Sequence, residues 1–118
     1  MNQRMANTGE NFRTDIDESR DYFKGILNAF VREMPEKLRF LALASRHGDF
    51  AEVGFIAHHI AARCEVIAAN EISATARQLE VEANSHSSNV SHSVRSLVND
   101  MQKLMQQMGY DMADQSHS

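Results

Sequence analysis

Two adjacent histidines, His58 and His59, are the residues of this 118-residue chain whose type and position best suit chemistry. An imidazole is a nitrogen nucleophile near pH 7, able to take up a phosphoryl group and pass it on. The surrounding segment, DFAEVGFIAHHIAARCEVIAA, carries apolar residues at alternating spacings of three and four, which predicts one buried stripe of an α-helix. That stripe consists of Phe50, Val53, Ala57, Ile60, Cys64 and Ile67. His58 lies off the stripe, so we predict an exposed imidazole.

Small residues surround His58 on the predicted helix. Residues three, four and seven apart share a helix face, and on this basis we expect the exposed face to hold Gly54, Ala61, Ala62 and Glu65. Glycine and alanine leave a neighbouring ring accessible to a partner's backbone or cleft, so we predict that these four residues dock a partner protein. His59 lies about 100° further round the helix and shares this face only in part.

The elements that position His58 are predicted to be helices, because one proline and five glycines provide too little turn chemistry for a hairpin-rich sheet protein. A first helix opens near Asp17 and continues past Pro35, either as one kinked helix or as two abutting helices, until a basic last turn and Gly48 end it. Asp49 is suited to cap the helix that carries His58. Asn70 is predicted to cap a third helix.

A fourth helix is predicted from Ser88 or Asn89 to Gly109. Four apolar stripes joined by short connections satisfy one another in an up-and-down arrangement, so the expected fold is all-α, an antiparallel four-helix bundle with a short N-terminal extension. We assign the bundle to residues 12–109. A flexible N-terminal arm is expected over 1–11 and a flexible C-terminal tail over 110–118.

Composition narrows the classes of partner. The chain has 12 basic and 16 acidic residues, a formal net charge of -4, which disfavours nucleic acid or an anionic membrane as the main partner. A single cysteine closes no intramolecular disulfide, and no apolar run approaches the roughly 20 residues of a membrane helix. We find no targeting segment. These features favour a soluble, cytoplasmic protein, which we expect to be a monomer.

Residues 23–82 resemble the histidine-containing phosphotransfer (HPt) domain family. The family pattern has an Asp-aromatic pair, a hydrophobic residue four after the Asp, an Ala-His pair, a hydrophobic residue two after the His, further apolar positions and a closing Leu-Glu. The matching residues are Asp49, Phe50, Val53, Ala57, His58, Ile60, Ile67, Ile72, Leu79 and Glu80. This register selects His58 over His59.

The resemblance implies a four-helix bundle that relays a phosphoryl group between receiver-domain aspartates of a two-component phosphorelay, with His58 as the catalytic residue. It implies response-regulator receiver domains as partners, with a hybrid sensor kinase as a further candidate. No cofactor or metal is expected on this chain, since magnesium belongs to the receiver. The sequence has no nucleotide-binding glycine loop, in keeping with a phosphotransfer intermediate rather than an autonomous kinase. The phosphodonor and acceptor, and whether the chain is free-standing or a module of a larger sensor, stay open.

The chain departs from the family where Lys-Gly is usual, because Ala61 and Ala62 stand there. Alanine at 61 removes a cation one turn from the histidine. Arg63 points about 140° away from His58 and is a poor substitute. A basic residue of another helix could compensate, with Lys37 and Arg39 as examples.

Two alternative interpretations remain beside phosphotransfer. A non-catalytic adaptor or inhibitor would keep the docking face, bind a receiver or kinase partner and carry no phosphate. Metal binding by His58 and His59 is the weaker alternative, since adjacent helical residues diverge and metal sites prefer i, i+4 pairs with further ligands. Cys64 lies on the buried stripe and is interpreted as an apolar filler.

Overall fold

The computed structural model describes the backbone of residues 8–117 and the side chains of residues 17–109. Within this part the chain is all-helical and contains no strand. The four helices are α1 (Thr8–Arg46), α2 (Phe50–Val66), α3 (Asn70–Asn84) and α4 (Val90–His117). The predicted all-α class is confirmed.

Helix α1 passes through Pro35 as one continuous helix. Proline has no N–H to donate to the carbonyl four residues earlier, which weakens a helix at that point. Burial of Met34 and Leu38 on either side of the proline holds the chain in place. The helix ends as predicted: Gly48 adopts a φ of 67°, and the Asp49 amide donates to the Ala44 carbonyl at 2.9 Å.

The start of α2 is confirmed and the cap of α3 is corrected. The Asp49 carboxylate accepts a hydrogen bond from the Glu52 amide at 3.2 Å, which satisfies a free N–H of the first turn of α2. Asn70 is the first residue of α3 rather than its cap; Ala69 takes the capping position without a side-chain hydrogen bond. The connection is closed instead by the backbone, since the Ala69 amide donates to the Cys64 carbonyl at 2.8 Å.

Both outer helices extend further than predicted. Helix α1 begins at Thr8, upstream of Asp17, and α4 continues through Gly109 to His117. The predicted arm and tail are therefore helical over 8–11 and 110–117, while residues 1–7 and 118 lie outside the described residues. A glycine inside a helix costs only about 1 kcal/mol relative to alanine, so Gly109 does not suffice to end α4.

Each helix packs against the next, and α1 also packs against α4, which closes a ring around one apolar core. The most extensive contact joins α2 and α3, where small side chains allow close approach: Gly54, Ala57, Ala61, Ala76 and Ala83 are all buried. The largest fully buried side chains are Met34, Leu41, Ile60, Leu79, Leu97, Met101, Val53 and Cys64. No helix of the described part combines the length and apolar character needed to cross a membrane.

Candidate functional site

His58 stands on the flank of α2 that borders α3. Its side chain is 53% exposed, which confirms the predicted exposure. The ring nitrogen Nδ1 lies 3.1 Å from Glu80 Oε2 and 3.0 Å from Arg77 Nη1, both on α3. Nε2 has no hydrogen-bond partner among the described side chains. One face of the imidazole is therefore held by α3, and the other nitrogen is available to an incoming group.

A polar network fixes the residues that contact His58. Arg77 donates to Glu65 Oε1 from Nε at 3.1 Å and from Nη2 at 2.8 Å, and its Nη1 lies 3.5 Å from Glu80 Oε1. The hydroxyl of Ser73, a buried residue, lies 3.2 Å from Glu65 Oε1 and 3.3 Å from the Ala61 carbonyl, either of which accepts its single hydrogen. We call His58, Glu65, Ser73, Arg77 and Glu80 the His58 cluster.

The central ion pair of the His58 cluster stays charged across a wide pH range. Hydrogen bonding from Arg77 is the largest cause and lowers the pKa of Glu65, and burial opposes it as the second-largest cause. The Arg77 charge, the Ser73 hydroxyl and His58 lower the pKa further. The hydrogen bond to Glu65 raises the pKa of Arg77 in turn. Two carboxylates and one guanidinium leave the cluster with one net negative charge when His58 is neutral.

The two contacts of His58 Nδ1 belong to different tautomers. A carboxylate only accepts, so the Glu80 contact requires a hydrogen on Nδ1 and leaves the lone pair on Nε2. A guanidinium only donates, so the Arg77 contact requires a lone pair on Nδ1 and places the hydrogen on Nε2. Only the first tautomer makes Nε2 a nucleophile.

Two of the four predicted docking residues are buried, so the prediction that they lie on an exposed face is wrong. Gly54 faces α3, where an added Cβ would lie 3.1 Å from Asn84 Oδ1 and 3.7 Å from the Ala83 Cβ. Ala61 is completely buried and its carbonyl lies against the Ser73 hydroxyl. Because α3 covers this side of α2, the small residues at 54 and 61 serve helix packing rather than access to the ring.

The other two predicted docking residues are accessible to different degrees. Ala62 is half-buried, and the Glu65 side chain is about half exposed but held by Arg77. Glu65 is therefore part of the His58 cluster and not a free solvated charge. A partner approaching His58 would meet these two residues at its edge.

His59 occupies a different environment. It is exposed, and its ring centroid lies 4.5 Å from that of Phe55, which is 61% exposed. Arg63 pairs with Glu33 of α1 at 3.7 Å. The predicted divergence of Arg63 from His58 is thus confirmed.

The sequence interpretation missed Arg77 and Ser73 and gave Glu80 no role. A cation from another helix does contact His58, but it is Arg77 of α3 rather than the examples Lys37 or Arg39 of α1. Arg39 instead lies 4.0 Å from Glu36. A signal was present, since Ser73, Arg77 and Glu80 repeat at spacings of four and three beside the apolar stripe of α3. Such a polar stripe predicts contact with a polar feature of a neighbouring helix.

Two further chemistries find no support in the described part of the chain. No group of three or more His, Cys, Asp or Glu side chains in that part is arranged to hold a metal ion. Cys64 is buried, and burial raises the pKa of its thiol to about 11, so the reactive thiolate is scarce at neutral pH.

The His58 cluster thus holds one imidazole nitrogen, Nδ1, between a carboxylate and a guanidinium, in a side chain that is about half exposed. Comparison with protein-family models, with curated proteins and with solved structures gives no match. Function is therefore inferred from the chemistry of the cluster. An anchored imidazole with a free nitrogen can attack an electrophilic phosphorus atom or exchange a proton.

Proposed function

We propose that this chain is a histidine phosphotransfer protein or module of a two-component phosphorelay. His58 Nε2 takes a phosphoryl group from the aspartyl phosphate of one receiver domain and gives it to another receiver. The observation that carries the proposal is the contact between His58 Nδ1 and Glu80 in a half-exposed side chain, which leaves the Nε2 lone pair free when the hydrogen is on Nδ1. The HPt-like pattern around Asp49, His58 and Glu80 supports it, and the cytoplasm is the compartment in which we place the protein.

The helical arrangement supports this proposal. Short connections over 47–49, 67–69 and 85–89 join helices that pack side by side, and such connections are typical of antiparallel neighbours. We infer that the chain forms an antiparallel four-helix bundle. In this fold His58 stands on an outer flank, where the concave active site of a receiver has access to it.

The reaction balances on His58 alone. The Nε2 lone pair attacks phosphorus in line, the Nε2–P bond forms, and the aspartyl O–P bond breaks to release a carboxylate. The hydrogen already on Nδ1 stays there, directed at Glu80, so the phosphorylated ring carries a positive charge that the carboxylate stabilises. In the second transfer the Nε2–P bond breaks and a neutral imidazole leaves. The receiver is expected to supply magnesium.

A non-catalytic adaptor or inhibitor is the second candidate function. The net negative charge of the His58 cluster favours it, because Glu65 and Glu80 outnumber Arg77 beside a site that would receive a phosphoryl anion. The exposed Phe55 offers apolar surface for a partner near the same flank. Such a protein would bind a receiver or kinase and carry no phosphate.

Transfer from a phosphorylated receiver separates these functions. The chain would be mixed with a panel of phosphorylated receiver domains and magnesium, alongside the variants His58→Ala and His59→Ala. Phosphotransfer predicts acid-labile, base-stable phosphate on the wild type and on His59→Ala, and none on His58→Ala. Absence of transfer from every receiver would contradict the proposal, and retained receiver binding by His58→Ala would then establish the adaptor.

A further inference from the structure

The two contacts of His58 Nδ1 compete. We propose that Glu80 and Arg77 set the tautomer of His58 in opposite directions, and that Glu65 decides the balance by partly offsetting the charge of Arg77. Glu80 stabilises the tautomer with hydrogen on Nδ1, in which Nε2 is the nucleophile. Arg77 stabilises the tautomer with hydrogen on Nε2, in which Nε2 cannot attack. The consequence for transfer rests on the proposed function, whereas the tautomer itself does not.

The distances make the two contacts direct alternatives. Glu80 Oε2 at 3.1 Å and Arg77 Nη1 at 3.0 Å both lie within hydrogen-bond range of the same nitrogen. Nδ1 carries either one hydrogen or one lone pair, so a neutral ring forms one of the two bonds at a time. Each bond involves one charged partner, and bonds of this class are the stronger ones. Neither contact therefore prevails by its own chemistry.

Glu65 breaks this symmetry. It receives two hydrogen bonds from Arg77, at 3.1 and 2.8 Å, which use Nε and Nη2 and partly offset the guanidinium charge. The remaining Nη1 makes a longer contact with Glu80 Oε1, at 3.5 Å. The other oxygen of Glu80, Oε2, lies 3.1 Å from His58 Nδ1. Nη1 stays 3.0 Å from His58 Nδ1 while Arg77 is bound to Glu65. The Glu65 charge therefore weakens this donation without removing it, so the Glu80 contact is favoured and Nε2 keeps its lone pair. Loss of the Glu65 charge would leave the guanidinium charge uncompensated beside Nδ1, which favours the other tautomer.

This arrangement assigns a positioning role to three residues that touch no phosphoryl group. Glu80 promotes the nucleophile, Arg77 opposes it and Glu65 restrains Arg77. An ion-pair network with a purely structural role would stabilise the fold without selecting a tautomer. The two interpretations therefore differ in a property of the ring nitrogens that is directly measurable.

The first test records the ¹⁵N chemical shifts of the His58 ring in the full-length protein at about pH 8, above the usual titration range of histidine. We expect wild type and Arg77→Gln to show hydrogen on Nδ1. Glu80→Gln should shift the tautomer ratio towards hydrogen on Nε2 by about tenfold, the effect of one charged hydrogen bond. Glu65→Gln should shift the ratio in the same direction by a smaller factor, because Glu65 acts only through Arg77. His59 provides the internal control, since its ring signals should not change. The same tautomer in the wild type and all three variants would overturn the proposal.

The second test measures reactivity without any receiver. Phosphoramidate phosphorylates imidazoles directly: the Nε2–P bond forms as the P–N bond of the donor breaks and ammonia leaves. We expect Glu80→Gln and Glu65→Gln to react several-fold more slowly than wild type at His58 and equally at His59. Circular dichroism would verify that each variant is folded. Equal rates at His58 in folded variants would contradict the role of the tautomer in reactivity.

The two proposals can fail separately. If the ring shifts follow Glu80, Arg77 and Glu65 as expected but no receiver phosphorylates His58, the tautomer selection stands and the relay function fails. If receivers phosphorylate His58 while the ring shifts are unaffected by the variants, the relay stands and the selection fails.

Discussion

The two sides of α2 show how adjacent imidazoles acquire different chemistry. His58 borders α3, where Arg77 and Glu80 contact its Nδ1. His59 lies further round α2, where its ring is beside those of Phe55 and His58 of the same helix. Both histidines are exposed, so accessibility does not distinguish them. The difference lies in the polar residues of the next helix, which hold one ring in place and leave the other without an anchor.

The same contrast separates the small residues of α2. Ala61 lies in the contact with α3 and is fully buried, whereas its neighbour Ala62 is partly exposed. The position that holds lysine in the family this chain resembles is therefore closed to a long charged side chain. The two alanines look alike in sequence and differ in what covers them.

The largest expected effect follows from Ala61. Ala61→Lys forces an aliphatic stem and a charge into the α2–α3 contact, which should destabilise the fold by about 3 kcal/mol or more. Ala62→Lys is the matched control and should change the free energy of unfolding by less than about 1 kcal/mol. Urea unfolding of both variants measures the difference. Equal stabilities would show that α3 does not cover residue 61.

We expect burial of Cys64 to slow the reaction of its thiol with labelling reagents strongly. Cys64 lies on the buried stripe of α2. Its pKa of about 11 lies above the ordinary value of 9.0, so at pH 9 the folded protein should hold roughly 50-fold less thiolate than a solvent-exposed thiol of ordinary pKa. Labelling with a thiol reagent should stay slow from pH 7 to 9 and become fast in urea. Because the folded pKa is raised, this thiol contributes stability below its unfolded pKa and loses it as the pH rises towards 11. Fast labelling of the folded protein would contradict burial of Cys64.

We expect an intermediate effect on stability from the ion pairs that α2 forms with α3 and with α1. Glu65→Gln removes a carboxylate whose pKa is lowered by Arg77. A lowered pKa contributes stability above the unfolded pKa, and this contribution disappears as the pH falls through the folded pKa. The stability difference between wild type and Glu65→Gln should therefore be full at pH 7 and vanish in acid. Glu33→Gln, which breaks the exposed pair with Arg63, should change stability at pH 7 by no more than about 0.5 kcal/mol. Denaturant midpoints of wild type and both variants from pH 7 to pH 2 measure these changes. A stability difference between wild type and Glu65→Gln that persists in acid would contradict a stabilising Glu65–Arg77 pair.

The smallest effect concerns two glycines. Gly25 lies in α1, where an added Cβ would meet open space, so Gly25→Ala should stabilise the protein by roughly 0.5–1 kcal/mol. Gly54→Ala gains the same helix propensity but brings a Cβ to 3.1 Å from Asn84 Oδ1. The resulting crowding should cancel much of the gain. Thermal unfolding of the Gly25→Ala and Gly54→Ala variants measures the two gains in stability. An equal gain at both positions would contradict close packing of α2 and α3 at Gly54.

Periodicity predicted the helices well because burial of an apolar stripe is a local property of the sequence. The stripe from Phe50 to Ile67 and the cap at Asp49 needed no knowledge of neighbouring helices. The helix ends were less predictable. Residues 8–16 contribute no apolar period, and Gly109 is a stop signal only where the backbone turns left-handed.

For the candidate site, the sequence predicted the histidine but not the residues that contact it. His58 could be chosen from its register on α2, but its partners lie on α3 and depend on how two helices align. Alanine and glycine suit both an exposed flank and a close helix contact, so Gly54 and Ala61 gave no sign of which they occupy. The contact between Arg77 and His58 becomes apparent only when the polar stripe of α3 is packed against α2.

The proposed relay requires that Nε2 of His58 carry the phosphoryl group. The most direct measurement is NMR of the full-length ¹⁵N-labelled protein after incubation with a phosphorylated receiver and magnesium, which assigns the phosphorus to one nitrogen of one histidine. We predict a single phosphorylated site at His58 Nε2, with Nδ1 still carrying its hydrogen. Phosphate at His59, phosphate at His58 Nδ1, or an unmodified protein after exposure to a broad panel of receivers would contradict the account.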